Sequence, residues 1–170
     1  SFDGTFNQCV NVPDNPLWNF GSGDFSIILW EKQLTASSTT SAVSHDEGPG
    51  NQRKWIFSVG FFPNFFFNEP GVPGTVVVAF NFTPVVGRWT HYGITKHSDT
   101  YTLYIDGLPV ATATNSTPIP NATAPLQIGG AEGGGNVANG AIDEIKIYNR
   151  ALSAAEVRTL GFAQGAYLNH

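Results

Sequence analysis

Few side chains in this 170-residue chain have the types and spacing that chemistry needs. Glycoside hydrolysis requires two carboxylates held roughly 5 to 10 Å apart across the sugar. There are 13 acidic residues, yet the only adjacent acidic pair on a strand-like run is Asp143-Glu144, and a strand turns neighbouring side chains to opposite faces. His45 and His97 fall in loop-like contexts, His91 on a strand and His170 at the terminus, with no metal-ligand spacing among them. A nucleophilic serine needs a strained turn and a nearby base, and no Gly-x-Ser-x-Gly elbow occurs. Cys9 is the single cysteine, which excludes an intrachain disulfide and any cysteine-based zinc site. These missing constellations predict a chain that binds rather than reacts.

The composition says what kind of scaffold would carry such a site. One domain, residues 1–170, fits the length, and a chain of this size buries roughly two-thirds of its unfolded surface. Charged residues are 12% of the chain, with 19 Gly, 11 Pro and 13 Phe, a balance that favours strands and turns. The net charge is -5 and the densest basic spot is Arg53-Lys54, so nucleic acid is excluded as a partner on electrostatic grounds. No run of 18 apolar residues argues for membrane insertion, and no basic-then-apolar leader opens the sequence. That pattern suits a mature, processed product as well as a protein made without a signal.

Periodicity places the elements. "SFDGTFNQCVNV" alternates Phe2, Gly4, Phe6 and then Val10 and Val12, which predicts one half-buried strand with Cys9 as a small buried hydrophobe. Asp24 to Trp30 is a second strand. Leu34 to Gly50 shows no period and reads as a long surface loop. Strands are expected at Trp55 to Gly60, around Phe65 to Phe67, at Thr75 to Phe80, Trp89 to Lys96, Tyr101 to Ile105 and Val110 to Ala113, with Asp106-Gly107 as a two-residue hairpin turn. "APLQIGG" and "GAIDEIKIYN" supply the last strands, and Gly129 to Gly140 between them reads as a wide, flexible glycine-rich loop. Ser153 and Glu156 form a capping box for one short helix that Gly161 ends, leaving 161–170 as a polar tail. The whole predicts an all-β, two-sheet antiparallel sandwich with Trp30, Trp89, Tyr104 and Ile142 buried between the sheets.

The segments "SFDG", "VPDNP", "FGSGDFSIILWEK", "GRWTHYGIT", "YTLYIDGLPV", "LQIGG" and "GAIDEIKIYNRALSAAEV" stand in an order that resembles a laminin-G-like, concanavalin A-like jelly-roll domain. The resemblance runs from Ser1 to about Leu160. It implies a jelly-roll sandwich whose common function is lectin-like recognition of glycans or a cell-surface or matrix polysaccharide, outside the cell or on a particle surface. Related jelly-roll hydrolases carry a Glu-x-Asp-x-(x)-Glu run on one strand, and that run is absent. The resemblance also implies a structural calcium joining the first and last strands through Asp3 and Asp143. Asn7-Gln8 stands where members often carry an acidic pair, which weakens that ligand set.

Sugar recognition calls for flat aromatic faces with amides and carboxylates around them. Predicted loops supply Trp18, His45, Asp46, Asn64, Asn136 and Asn139 as ligand-binding candidates, with Asn19, Glu47 and Asn68 beside them. A second function class comes from "FFPNFFFNEPG". Phe66 faces opposite to Phe65 and Phe67, so the Phe61 to Phe67 region needs cover on both faces or offers a contact surface. The chain would then be a structural or decoration subunit docked on a larger assembly, such as a virion or surface layer. The alternative packs Phe61, Phe62 and Phe66 beneath the loop at 34–50. Asn115 and Asn121 open N-x-[ST] sequons, whereas Pro84 disfavours the one at Asn81.

Overall fold

A computed structural model of the chain describes residues 1–35, 38–72 and 74–168, with side chains as far as Phe162. Twelve strands, one α-helix and a short 3-10 helix (Pro16–Trp18) lie among these residues: β1 (Phe2–Asp3), β2 (Val10–Val12), β3 (Phe25–Gln33), β4 (Thr39–Asp46), β5 (Lys54–Gly60), β6 (Asn64–Asn68), β7 (Thr75–Ala79), β8 (Trp89–His97), β9 (Thr100–Ile105), β10 (Leu108–Thr114), β11 (Leu126–Ile128), β12 (Asn139–Tyr148) and α1 (Ala154–Leu168). They form two six-stranded antiparallel sheets, in the orders β1-β12-β3-β8-β9-β10 and β2-β11-β4-β5-β6-β7. This is the expected jelly-roll sandwich.

The core between the sheets follows from strand alternation. Phe25, Ile27 and Leu29 of β3 face Trp55, Phe57 and Val59 of β5, with Phe65, Phe67, Tyr92, Ile94, Tyr101 and Leu103 filling in around them. Phe20 stacks on Phe25 with ring centroids 4.2 Å apart. The hairpin turn is as read: Asp106 and Gly107 both take positive φ, 49° and 75°, which is the type I′ geometry matched to strand twist.

Several expectations are corrected. The opening alternation is not one strand. β1 joins β12 and β2 joins β11 in the other sheet, because Gly4 and Asn7 turn the chain at φ 81° and 66°. Phe6 is left exposed and Cys9 half-buried. Much of the predicted loop at 34–50 is the buried strand β4, whose small Ser, Thr and Ala side chains and a register shift between Ser41 and Val43 hide the period.

Trp30 and Tyr104 are buried, but not between the sheets. They share the outer face of β3 and β9, where Ile28, Tyr104, Leu152 and Val157 form a second cluster beneath α1. Trp89 is half-buried on that same outer face, and Ile142 is half-buried against the main core. The capping box forms, with Glu156 N donating to Ser153 Oγ at 3.3 Å and Ser153 N donating to Glu156 Oε2 at 2.8 Å. Gly161 does not end the helix, which runs to Leu168. A Cβ there would lie 3.1 Å from both Gly107 Cα and His91 Nδ1, so at Gly161 α1 lies close against the sheet.

Candidate functional site

The candidate binding residues divide between two regions. At one end of the sandwich, Asp46 of β4 and Lys54 of β5 are register partners. Their side chains are 0% and 1% exposed, with Nζ 3.3 Å from Asp46 Oδ1 and 2.6 Å from Glu132 Oε1. Gly48 N donates to Asp46 Oδ1 at 2.8 Å and Glu132 N to Oδ2 at 2.6 Å, so every atom of the carboxylate is engaged, as a buried charge demands.

This network and its neighbours fasten the glycine-rich segment. Ser44 Oγ donates to the Gly130 carbonyl at 2.8 Å, Asn7 N to that of Gly134 at 3.2 Å and Ser41 N to that of Asn136 at 3.0 Å. The expected wide, flexible loop is therefore a pinned one. Glycine is needed there for close approach, since a Cβ on Gly134 would collide with Asn7.

The other candidates, Asn136 apart, are turned inward or locally bonded. His45 is fully buried, its Nε2 donating to the Ala124 carbonyl at 2.9 Å and lying 3.2 Å from Asp14 Oδ1. Trp18 is half-buried against the core, and its carbonyl accepts from Trp55 Nε1 at 3.1 Å. Asn64 is buried with its amide on the Phe62 carbonyl, and Asn68 reaches Gln52 and Asn51. Asn136 stays exposed at φ 49°.

Asn139 belongs to the second region, an open cleft of about 570 Å³ lined by residues that include Phe2, Asp3, Gln8, Lys32, Leu34 and Asn139. Asp3 and Asn139 are register partners of β1 and β12. Alternation puts Asp3, Asn139, Ala141 and Lys32 on the outer face of their sheet. Trp89 pairs with Lys32 across β3 and β8, and Lys32 Nζ stands 5.2 Å from its ring centroid. Gln8 and Lys32 were not foreseen: Gln8 is brought in by the turn at Asn7, and Lys32 shows only as the polar beat of a buried strand.

What distinguishes the cleft is polar capacity left open. Among the described residues, the Asn139 amide has no hydrogen-bond partner and Lys32 Nζ meets only the Trp89 ring. Gln8 accepts from Asp3 N through Oε1, leaving its amide N–H groups free. The hydroxyl and backbone N–H of Thr5 both bond Asp3 Oδ1 and hold its carboxyl below the usual range.

The two expected calcium ligands are not brought together. Asp3 sits opposite Asn139, and Asp143 lies four residues farther along β12, roughly 13 Å at strand rise. Its Oδ1 accepts from Glu144 N at 2.7 Å. Among the described residues no group of three His, Cys, Asp or Glu could hold a metal ion, and no helix is long and apolar enough to cross a membrane.

Comparison with known proteins agrees with this architecture. The family model of the concanavalin A-like lectin/glucanases superfamily, of laminin G type, matches residues 3–158. The chain belongs to that superfamily. Domain 4 of AbnA, an extracellular GH43 arabinanase from Geobacillus stearothermophilus solved with arabinotriose, superposes with a TM-score of 0.70 at 18% identity, over 94% of this chain and 74% of that one. The binding domain of botulinum neurotoxin serotype G gives 0.69 at 16% identity, over 96% and 42%. The NanB sialidase of Streptococcus pneumoniae gives 0.71 at 18% identity, over 92% and 27%. This chain thus corresponds to one part of the larger toxin domain and sialidase. No curated protein matches it by sequence. At these identities the likeness shows a shared fold, and the function has to be argued from the site.

Proposed function

We propose that this superfamily member is a non-catalytic, lectin-like module that recognises glycans through the cleft between β1, β12 and β3. The observation that carries the reading is the set of unengaged polar groups, Lys32 Nζ, the Asn139 amide and the Gln8 amide, beside the half-buried Trp89 indole. Sugar hydroxyls need such donors and acceptors, and an aromatic face suits the apolar face of a pyranose or furanose ring. These groups line an open cleft, where a ligand can reach them. The arabinotriose held by the AbnA domain supports the same class of ligand. The cleft contains one carboxylate, Asp3, where glycoside hydrolysis would need a pair. Such a module would work outside the cell or on a particle surface, where polysaccharides are met.

A glycan array, followed by product analysis on each glycan retained, tests this. Retention of at least one glycan with no cleavage is expected; cleavage, or an empty array, contradicts it.

One observation favours a second reading, docking on a larger assembly. Phe65 and Phe67 are buried and Phe66 half-buried, but Phe61 and Phe62 remain 44% and 37% exposed rather than packed beneath a loop. Paired exposed aromatics suit a protein contact.

A further inference from the structure

The cleft end of the sandwich encloses a group of polar side chains that the binding surface does not use. Alternation along β3 sends Lys32 and Leu34 out toward the cleft and Glu31 and Gln33 inward. Glu31 and Gln33 are each 2% exposed. Gln33 Nε2 donates to the Ser38 carbonyl at 3.2 Å and to Thr40 Oγ1 at 3.4 Å, and the Glu31 carboxyl lies beside the Thr40 and Gln33 side chains. Gly60, at φ 90°, comes so close to the Gln33 amide and the Ser38 carbonyl that no Cβ would fit. Tyr92 of β8 reaches the same place, beside Gly60 and Thr90, and Thr90 is the register partner of Glu31. Four strands, β3, β4, β5 and β8, therefore meet on these groups.

Among the described residues, three oxygens are buried there without a hydrogen-bond partner: Glu31 Oε2, Gln33 Oε1 and the Tyr92 hydroxyl. With Glu31 ionised, only one of these three oxygens, that of the Tyr92 hydroxyl, carries a proton, and a carboxylate sits in a dry interior. With Glu31 protonated two of them do, and the carboxylic acid gains an O–H that can donate to a neighbour. The titratable group that faces Glu31 is the Tyr92 phenol. Lys32 and His91, the nearest charged or titratable residues along β3 and β8, turn to the opposite face, and Thr40, Ser38 and Gly60 on the β4 and β5 side carry no charge.

We propose that Glu31 is a proton-linked lock on the cleft end of the sandwich: with its proton it ties β3 to β4, β5 and β8, and on losing it β3 loosens at Lys32 to Leu34, the wall of the cleft. Its bearing on recognition rests on the cleft being the glycan site. Burial pushes the Glu31 carboxyl up to about 8, so the lock is closed at neutral pH and opens under mild alkali.

An NMR titration of the free protein from about pH 6 to pH 9.5 tests this without any ligand. The Gly60 backbone amide and the Gln33 and Asn139 side-chain amides are expected to titrate together with a midpoint near 8, and Glu31→Gln is expected to abolish that titration. Should Glu31→Gln not fold, Tyr92→Phe removes one of the three oxygens and is expected to move the midpoint. Flat signals, the same titration in Glu31→Gln, an unmoved midpoint in Tyr92→Phe, or an Asn139 amide that ignores the transition would each overturn the lock. Failure of glycan binding, with the titration intact, would count against the cleft as a sugar site and not against the lock.

Discussion

Lys54 Nζ lies 2.6 Å from Glu132 Oε1, so a strand in the middle of one sheet holds a loop that follows it by 78 residues. The lysine is 1% exposed and its second partner, Asp46, is fully buried. Removing one member of such a network strands the others as uncompensated charge, which costs about 3 to 5 kcal/mol. Lys54→Met should therefore lose that much stability in chemical denaturation and expose the amides of 130–136 to hydrogen exchange. A loss below about 1 kcal/mol with unchanged exchange would refute the latch.

His91 gives the acid side of the stability profile. It is fully buried beneath α1, both ring nitrogens lack partners among the described residues, and its ring centroid is 5.2 Å from that of Trp30. Desolvation, only partly offset by Asp106, lowers it from 6.5 to about 4. The unfolded chain thus binds a proton at higher pH than the folded one. Stability from this group is full above about pH 6.5 and falls away as the pH drops toward 4, by about 3 kcal/mol. His91→Phe should remove that part of the acid dependence in denaturation curves at pH 7, 5.5 and 4; an unaltered slope would refute the assignment.

The phenylalanine stretch separates surface from core within five residues. Phe61→Ser with Phe62→Ser should leave the melting curve within about 1 kcal/mol of the parent, whereas Phe65→Ser, fully buried between Trp55, Phe25 and Tyr101, should cost at least 3 kcal/mol. If the docking reading holds, the surface pair also abolishes association in sedimentation while the fold persists.

The register of β1 on β12 sets the expectation for calcium. With Asp3 opposite Asn139 and Asp143 four residues beyond, one ion cannot bridge both carboxylates. Asp143→Asn should therefore make no difference to any calcium response of the melting temperature. A calcium-dependent rise in melting temperature that Asp143→Asn removes would show that the two strands are joined by metal after all.

Much of the fold was legible because it rests on local pattern. Alternation found β3, β5, β8 and β9, turn chemistry found Asp106-Gly107, and the Ser153-Glu156 spacing found the start of α1. β4 escaped because Thr39 to Asp46 is buried with small polar side chains, which carry no hydrophobic period. The placing of Trp30 and Trp89 escaped because α1 covers part of the outer face, so alternation alone could not say which face is core. The site was less legible. Asn139 and Asp3 were named for separate reasons, and only the pairing of β1 with β12 brings them into one cleft with Gln8 and Lys32. His45, Asp46 and Asn64 looked like loop groups, yet strand pairing buries all three.

The central claim, that the cleft binds sugar, is tested most directly by titrating the tightest array glycan against the parent, Asn139→Ala and Lys32→Ala. Each variant removes a side chain without a hydrogen-bond partner among the described residues, so affinity should fall about tenfold or more while the melting temperature stays within a degree or two. Undiminished affinity in both variants would place recognition elsewhere on the protein.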